Sequence, residues 1–362
     1  MAESGGHWAT LAEAAKLTQS TKIPGVIEED IKRNNPIERM PVAQAAGTGL
    51  KIEWLRELEI TEDAVLETDI GDQLSWSKDV TYTEVESTLR RIYIQRKLDH
   101  FVAGIYGTYT DYKAQMLLEC EKGLKRRLGD RLIYADNTYG GSPAQFDGLH
   151  ALAAERGNPY AAADAAGSKL NIDMNEGPLS LSFLRLMIDA MKAGCDELWV
   201  PPEIGRQIDQ AYEERGIFIT SLGGYEQTQG LRSMLTRAQN DIGKPIMYFM
   251  GVPIIRTDFL VAEEGGTGVG DDEAIRAKNS TSPYVYSIFG VKFGNVMERD
   301  PGICYAYGGT EGAGDFYKLR QWADLEDYDA AGMRLVNYGS VLLGSTLCLG
   351  RIFDITDAAI IV

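Results

Sequence analysis

The chain has 362 residues, 44% hydrophobic and 25% charged, with a net charge of −17 from 53 acidic against 36 basic side chains. That composition excludes an intrinsically disordered protein, and the length allows about two modest cores or one large one. The acidic excess argues against a free protein that grips nucleic acid through a basic field, while it suits a subunit that must stay soluble at high copy number.

Met1 to Trp8 includes Glu3 and shows neither a basic segment nor an apolar run, so no signal peptide is expected. The apolar stretch from Tyr338 to Gly350 is too short to cross a bilayer. Cys120, Cys195, Cys304 and Cys348 lie far apart without a CxxC, so no disulfide framework is implied. The expectation is a product made in a cytoplasm.

His7 to Gln19 fits one short helix, and Thr21 to Gly49 carries Pro24, Pro36 and Pro41, which predicts an extended strap. Such a strap has no core of its own and must lie on its own body or on a neighbouring subunit. Trp54 to Val102 reads as charged β-ribbon: Thr81-Tyr82-Thr83 is strand material, and Ile92 and Ile94 alternate with Arg91, Tyr93 and Gln95. Lys78-Asp79 fits a hairpin tip between the runs around Leu74-Ser75-Trp76 and Val80-Thr81-Tyr82. A long two-stranded ribbon is barely stable alone, so it is expected to rest on a partner.

From Thr110 the period becomes helical, with Tyr112, Met116, Cys120, Leu124 and Leu128 on one stripe. Lys125, Arg126 and Arg127 read as cations near a helix C-terminus, or else as a small nucleic-acid patch. Gly140-Gly141 and Asp147-Gly148 mark turns, and Ser180 to Ala193 reads as a second helix through Leu181, Leu184, Ile188 and Met191. Glu197 to Val200 is a strand stopped by Pro201-Pro202, before a helix with Ile204 and Ile208 on one face. Val252 to Ile255 and Tyr284 to Phe293 read as strands, Glu263 to Asp272 as a glycine- and acid-rich loop, and Met333 to Ile352 as strand or helix with a buried face. Short strands interrupted by helices make the fold class α+β.

No catalytic set emerges. His7, His100 and His150 are widely spaced and form no ligand pair, so they read as structural. Gly266-Thr267-Gly268-Val269-Gly270 lacks the ending of a phosphate loop and runs into Asp271, Asp272 and Glu273, which repel phosphate. Gly339-Ser340 lacks the glycine that a nucleophile elbow needs two residues after its serine. Glu263-Glu264 and Asp271-Asp272 are acidic pairs without a defined coordination geometry. No catalytic, cofactor-binding or metal-ligating residue is assigned.

The order of these segments resembles the major capsid protein of tailed double-stranded DNA phages, the Hong Kong 97-type fold. The resemblance rests on the arm, the charged ribbon, the helix beginning near Asp111 and Phe146-Asp147-Gly148-Leu149. It continues through Asp196 to Ile204 (DELWVPPEI), Met250 to Ile255 (MGVPII), Tyr284 to Phe293 and Met333 to Gly339, spanning nearly the whole chain. It implies an arm over 1–53, an extended hairpin called the E-loop over 54–102, a peripheral domain with a spine helix over 103–194 and an axial domain over 195–332. A return to the peripheral domain over 333–344 and a C-terminal part of the axial domain over 345–362 complete the implied division.

The implied function is a non-enzymatic subunit that assembles through pentamers and hexamers into an icosahedral capsid around double-stranded DNA. Its implied partners are identical subunits, with a separate scaffolding protein, a portal and a decoration protein, and no membrane. The implied location is the virion capsid, assembled in the host bacterial cytoplasm. An encapsulin-like compartment is the nearest alternative, and a cryptic metal-dependent enzyme is the alternative of another class. Some family members cross-link through an E-loop lysine; Lys78 is nearest to that place here, and a non-covalent contact is expected of it. The arm up to Pro41 is expected to stabilise assembly more than folding.

Overall fold

The computed structural model describes residues 28–45, 49–59, 65, 67–71, 73, 81–101, 112–137, 145–154, 170–214, 235–239, 245–264, 278–280, 284–308, 315–326 and 329–361. The expected helix over His7 to Gln19, the Lys78-Asp79 tip, Gly140-Gly141 and the loop beyond Glu264 to Glu273 lie outside these residues.

One sheet is organised by a long strand. β1 (Val42–Ala45), β4 (Arg90–Asp99), β12 (Ile303–Gly308) and β13 (Lys318–Trp322) join β14 (Ala330–Leu343), with β1 on the far edge of β12. Leu335 lies opposite both Ile94 of β4 and Leu319 of β13, while Ile303 to Tyr307 run against Leu343 to Gly339. The alternation read in β4 has its physical cause here. Ile94, Leu98 and Met333 point at α2 (Tyr112–Tyr134) and pack on Met116 and Cys120, while Arg91, Tyr93 and Gln95 line the opposite face. The predicted helical stripe is the packed one: Met116, Cys120, Leu124 and Leu128 are all buried.

The second sheet has the order β5-β15-β11-β6-β9-β8-β7, with β10 added to β11. Its strands are β5 (Asn171–Ser180), β6 (Glu197–Val200), β7 (Leu235–Gln239), β8 (Pro245–Phe249), β9 (Val252–Arg256), β10 (Glu263–Glu264), β11 (Tyr284–Val291) and β15 (Leu349–Ile361). Alternate residues serve opposite cores. Leu198, Val200, Ile254, Ile288 and Ile352 pack on α4 (Leu181–Ala190) and α5 (Pro202–Glu214). Trp199, Ile255 and Phe289 face α2 and α3 (Leu149–Ala154) instead. Gly290 and Gly350 are register partners, and a Cβ on either would lie under 3 Å from Met191 or Met187, so their bareness lets α4 settle on the sheet.

The third unit is the ribbon of β2 (Lys51–Glu59) and β3 (Thr81–Thr88). Tyr82 lies opposite Glu57 and Thr81 opposite Glu59. β3 therefore pairs with Lys51–Glu59, as a two-stranded ribbon.

Sheet membership cuts across chain order. β12 and β13, inside the stretch expected to be axial (195–332), pair with β14 and belong with β4. β5 and α4, inside 103–194, belong to the second sheet. β14 belongs to the first sheet and β15 to the second. Pairing is non-local, so a chain-order reading cannot assign a strand to one sheet or the other.

Candidate assembly surfaces and a buried ionic centre

Residues 28–45 lie on the chain's own body. Asn35 caps α1 (Pro36–Arg39) by accepting from the Ile37 N–H at 3.2 Å, and its Nδ2 donates to the Lys125 carbonyl at 3.0 Å. Ile37 and Met40 are buried in the main core, and β1 runs parallel to β12. The Arg39 guanidinium grips Glu197 through Nε and Nη2, and Glu197 also accepts from Trp199 Nε1 at 2.9 Å.

The cations of α2 meet the acids of this arm. Lys122 reaches Glu28 at 2.7 Å, Lys125 reaches Glu38 at 2.6 Å, and Arg126 holds Glu28 at 2.5 Å and Asp30 at 2.8 Å. The hydrogen bond from Lys122 is the main cause that lowers the Glu28 carboxyl below its usual range. Because α2 continues to Tyr134, these cations sit in mid-helix rather than at its C-terminal end. They form an arm dock, which corrects both the capping and the nucleic-acid readings.

The depth of this docking also revises the expected role of the arm. Deleting residues 1–41 removes Ile37 and Met40 from the core, so it is expected to weaken folding as well as assembly. Arg39→Ala alone should cost about 2–3 kcal/mol, because it leaves a largely buried Glu197 carboxylate without its charged partner. Urea denaturation of the isolated chain checks this; a loss under about 0.5 kcal/mol, the size of an exposed pair, counts against it.

The ribbon has two unlike faces. Ile52 and Trp54 pack on Ala43, Cys304 and Leu342, Arg56 donates to the carbonyls of Gly344 at 2.9 Å and Leu343 at 2.5 Å, and Ser87 bonds Ser340 at 2.6 Å. The outer face presents Glu53, Glu57, Glu84 and Glu86, with Leu55 and Tyr82 exposed among them. Lys51 pairs with Glu86 at 2.6 Å.

The ribbon base covers one end of the first sheet, at Ser340 and Leu342. The same face at the other end of β14 is an open groove of about 280 Å³, lined by Arg91, Tyr93, Gln95, Arg320, Arg334 and Tyr338. Arg334 is oriented by two hydrogen bonds to Gln95 Oε1, at 3.0 and 2.8 Å, and by the Trp322 ring. This basic, aromatic face is invisible in chain order because its residues come from three strands.

A charged centre lies where α2, α3 and the second sheet meet. Arg351 on β15 and Glu263 on β10 are fully buried and paired at 3.0 Å, with Ser287 of β11 donating to Glu263 at 2.6 Å. His150 on α3 stands 2.9 Å from Glu263, stacked between Tyr134 and Phe289. The Tyr134 hydroxyl donates to the Val261 carbonyl at 3.1 Å and accepts from the Val261 N–H at 3.0 Å. Burial alone would push the Glu263 carboxyl up; His150, Arg351 and the hydrogen bonds outweigh it and hold it at about 2.

Glu263, read as half of an acidic pair, is thus spent on internal partners. His150 belongs to this centre and His100 to an exposed pair with Asp324 at 3.1 Å, so the structure does not bring these two histidines together; His7 lies outside the described residues. Among the described residues no group of three or more His, Cys, Asp or Glu is placed to hold a metal ion. No helix among them is long and apolar enough to cross a membrane.

No family model matches the sequence, and no curated protein does. Solved structures do. The holo-SrpI encapsulin complex from Synechococcus elongatus superposes with a TM-score of 0.62 at 12% identity, over 96% of both chains. The capsid of an empty GTA particle gives 0.60 at 12% identity, over 96% of this chain and 99% of that one. Mycobacterium phage Bobi gives 0.55 at 10% identity, over 95% and 98%. The chain has the Hong Kong 97-type α+β fold.

Proposed function

We propose that this chain is a non-enzymatic shell subunit that assembles through pentamers and hexamers into an icosahedral, phage-type capsid around double-stranded DNA. The observation that supports it is the likeness to particle-forming proteins along essentially the whole chain. On this reading the first sheet with α2 is the peripheral domain and the second sheet with α4 and α5 is the axial domain. The virion capsid is the location, reached by assembly in a bacterial cytoplasm, and a scaffolding protein, a portal and a decoration protein are the further partners. The likeness to an encapsulin favours a second reading, a protein compartment with the same architecture.

Electron microscopy of purified native material tests the proposal. Closed particles are expected, with nuclease-protected DNA in a capsid and protein cargo in a compartment. A strictly monomeric chain, even with the accompanying assembly proteins supplied, rules out both.

The groove suits the ribbon of a neighbouring copy. Residues 60–80 carry six acidic side chains against the single Lys78, and each subunit offers one ribbon and one basic groove on the same sheet face. In a ring of identical subunits a heterologous contact of this kind uses every ribbon and every groove once. Arg320→Glu with Arg334→Glu is expected to cut particle yield strongly at low salt while leaving the subunit folded, because like charges then face each other. Unchanged particle yield sinks this contact without touching the shell reading.

A further inference from the structure

The buried centre carries an inference that does not depend on assembly. β10 has two residues and α3 has six. Neither element is long enough to fix its own position by backbone pairing or by an apolar stripe. Yet they carry the two side chains, Glu263 and His150, that meet deepest against the second sheet. The fully buried Arg351 guanidinium lies 5.8 and 5.0 Å from the ring centres of Phe289 and Phe353, so it has little freedom to follow a displaced partner. Ser287 bonds both Arg351, at 3.0 Å, and Glu263. Tyr134 then ties the end of α2 to Val261, two residues before Glu263.

We infer that the Glu263–Arg351 pair, with Ser287, His150 and Tyr134, is a registration device that sets β10 and α3 in one position against the second sheet. Apolar packing alone does not select that position: the surrounding core is built from Leu149, Leu152, Phe289 and similar side chains, which accept small slides of a short helix or a two-residue strand at little cost. Directional, charge-assisted hydrogen bonds do not. A buried pair of this kind adds little net stability over well-packed apolar residues, so its contribution lies in the uniqueness of the arrangement.

The test is the isolated full-length chain carrying Glu263→Leu, Arg351→Met, Ser287→Ala and His150→Phe together, which removes the ionisable groups of Glu263, Arg351 and His150 at once and keeps the volume similar. The urea midpoint is expected to equal or exceed that of the unaltered chain. Amide hydrogen exchange across residues 149–154 and 261–264 is expected to accelerate about tenfold or more, with β6 and β9 unchanged. Unaltered exchange in those two segments means that apolar packing sets the register and overturns the inference. Loss of cooperative folding overturns it as well, because the centre is then a stabiliser.

Discussion

Replacing Glu263 by Gln is expected to destabilise the chain by about 3–5 kcal/mol at neutral pH. The change keeps the shape of the side chain but takes the carboxylate charge of Glu263 away from the fully buried Arg351 guanidinium. Removing one member of such a pair is far costlier than replacing the whole centre, so this single variant and the fourfold apolar variant should differ in sign or nearly so. The pH dependence follows from the depressed carboxyl. Glu263 sits at about 2 in the folded chain against an ordinary 4.5. Its contribution is therefore complete above the ordinary value and disappears as the pH falls through the folded one. A shift of this size corresponds to about 3 kcal/mol. Urea denaturation between roughly pH 7 and pH 2 should show that share of acid sensitivity in the unaltered chain and lack it in Glu263→Gln. A variant as stable as its parent at pH 7, or with the same acid slope, would contradict the ionic assignment.

Gly339→Ala should be nearly as damaging, by about 3 kcal/mol. A Cβ at this position would lie 2.1 Å from the Tyr305 hydroxyl oxygen and 2.8 Å from the Ala306 carbonyl oxygen. Tyr305 cannot retreat: it is fully buried, its ring lies against Phe146 and Phe316, and its hydroxyl donates to Asn337. Asn337 is fixed in turn by donating to the Phe316 carbonyl at 2.7 Å. Removing the hydroxyl with Tyr305→Phe relieves the closest contact, so Gly339→Ala should cost less in that background than in the parent. Additive costs in the double-mutant cycle would show that the two positions do not collide.

These two positions also separate what was legible in the sequence from what was not. Gly339 stood at the end of the segment from Met333 that supports the family resemblance, but its reason, a tyrosine from the strand alongside, needs the register of β12 against β14. Glu263 read as half of an acidic pair opening a glycine- and acid-rich loop, because the partners that bury it come from α3, β11 and β15. The groove escaped for the same cause, since Arg91, Arg320 and Arg334 are neighbours only across strands.

Local periodicity determined by itself the stripe of α2, the helices α4 and α5, and the strands β6, β9 and β11, because each records burial on one face of a single element. The ordered run of short motifs along the chain was enough to point to the Hong Kong 97-type fold. Pairing partners, the assignment of β5, β12 and β13 to their sheets, the docking of the arm on α2 and the assembly of the ionic centre were decided only in the tertiary structure. Each depends on which distant segments meet, and the free energy that decides this comes from non-local packing and burial that no short window of sequence contains.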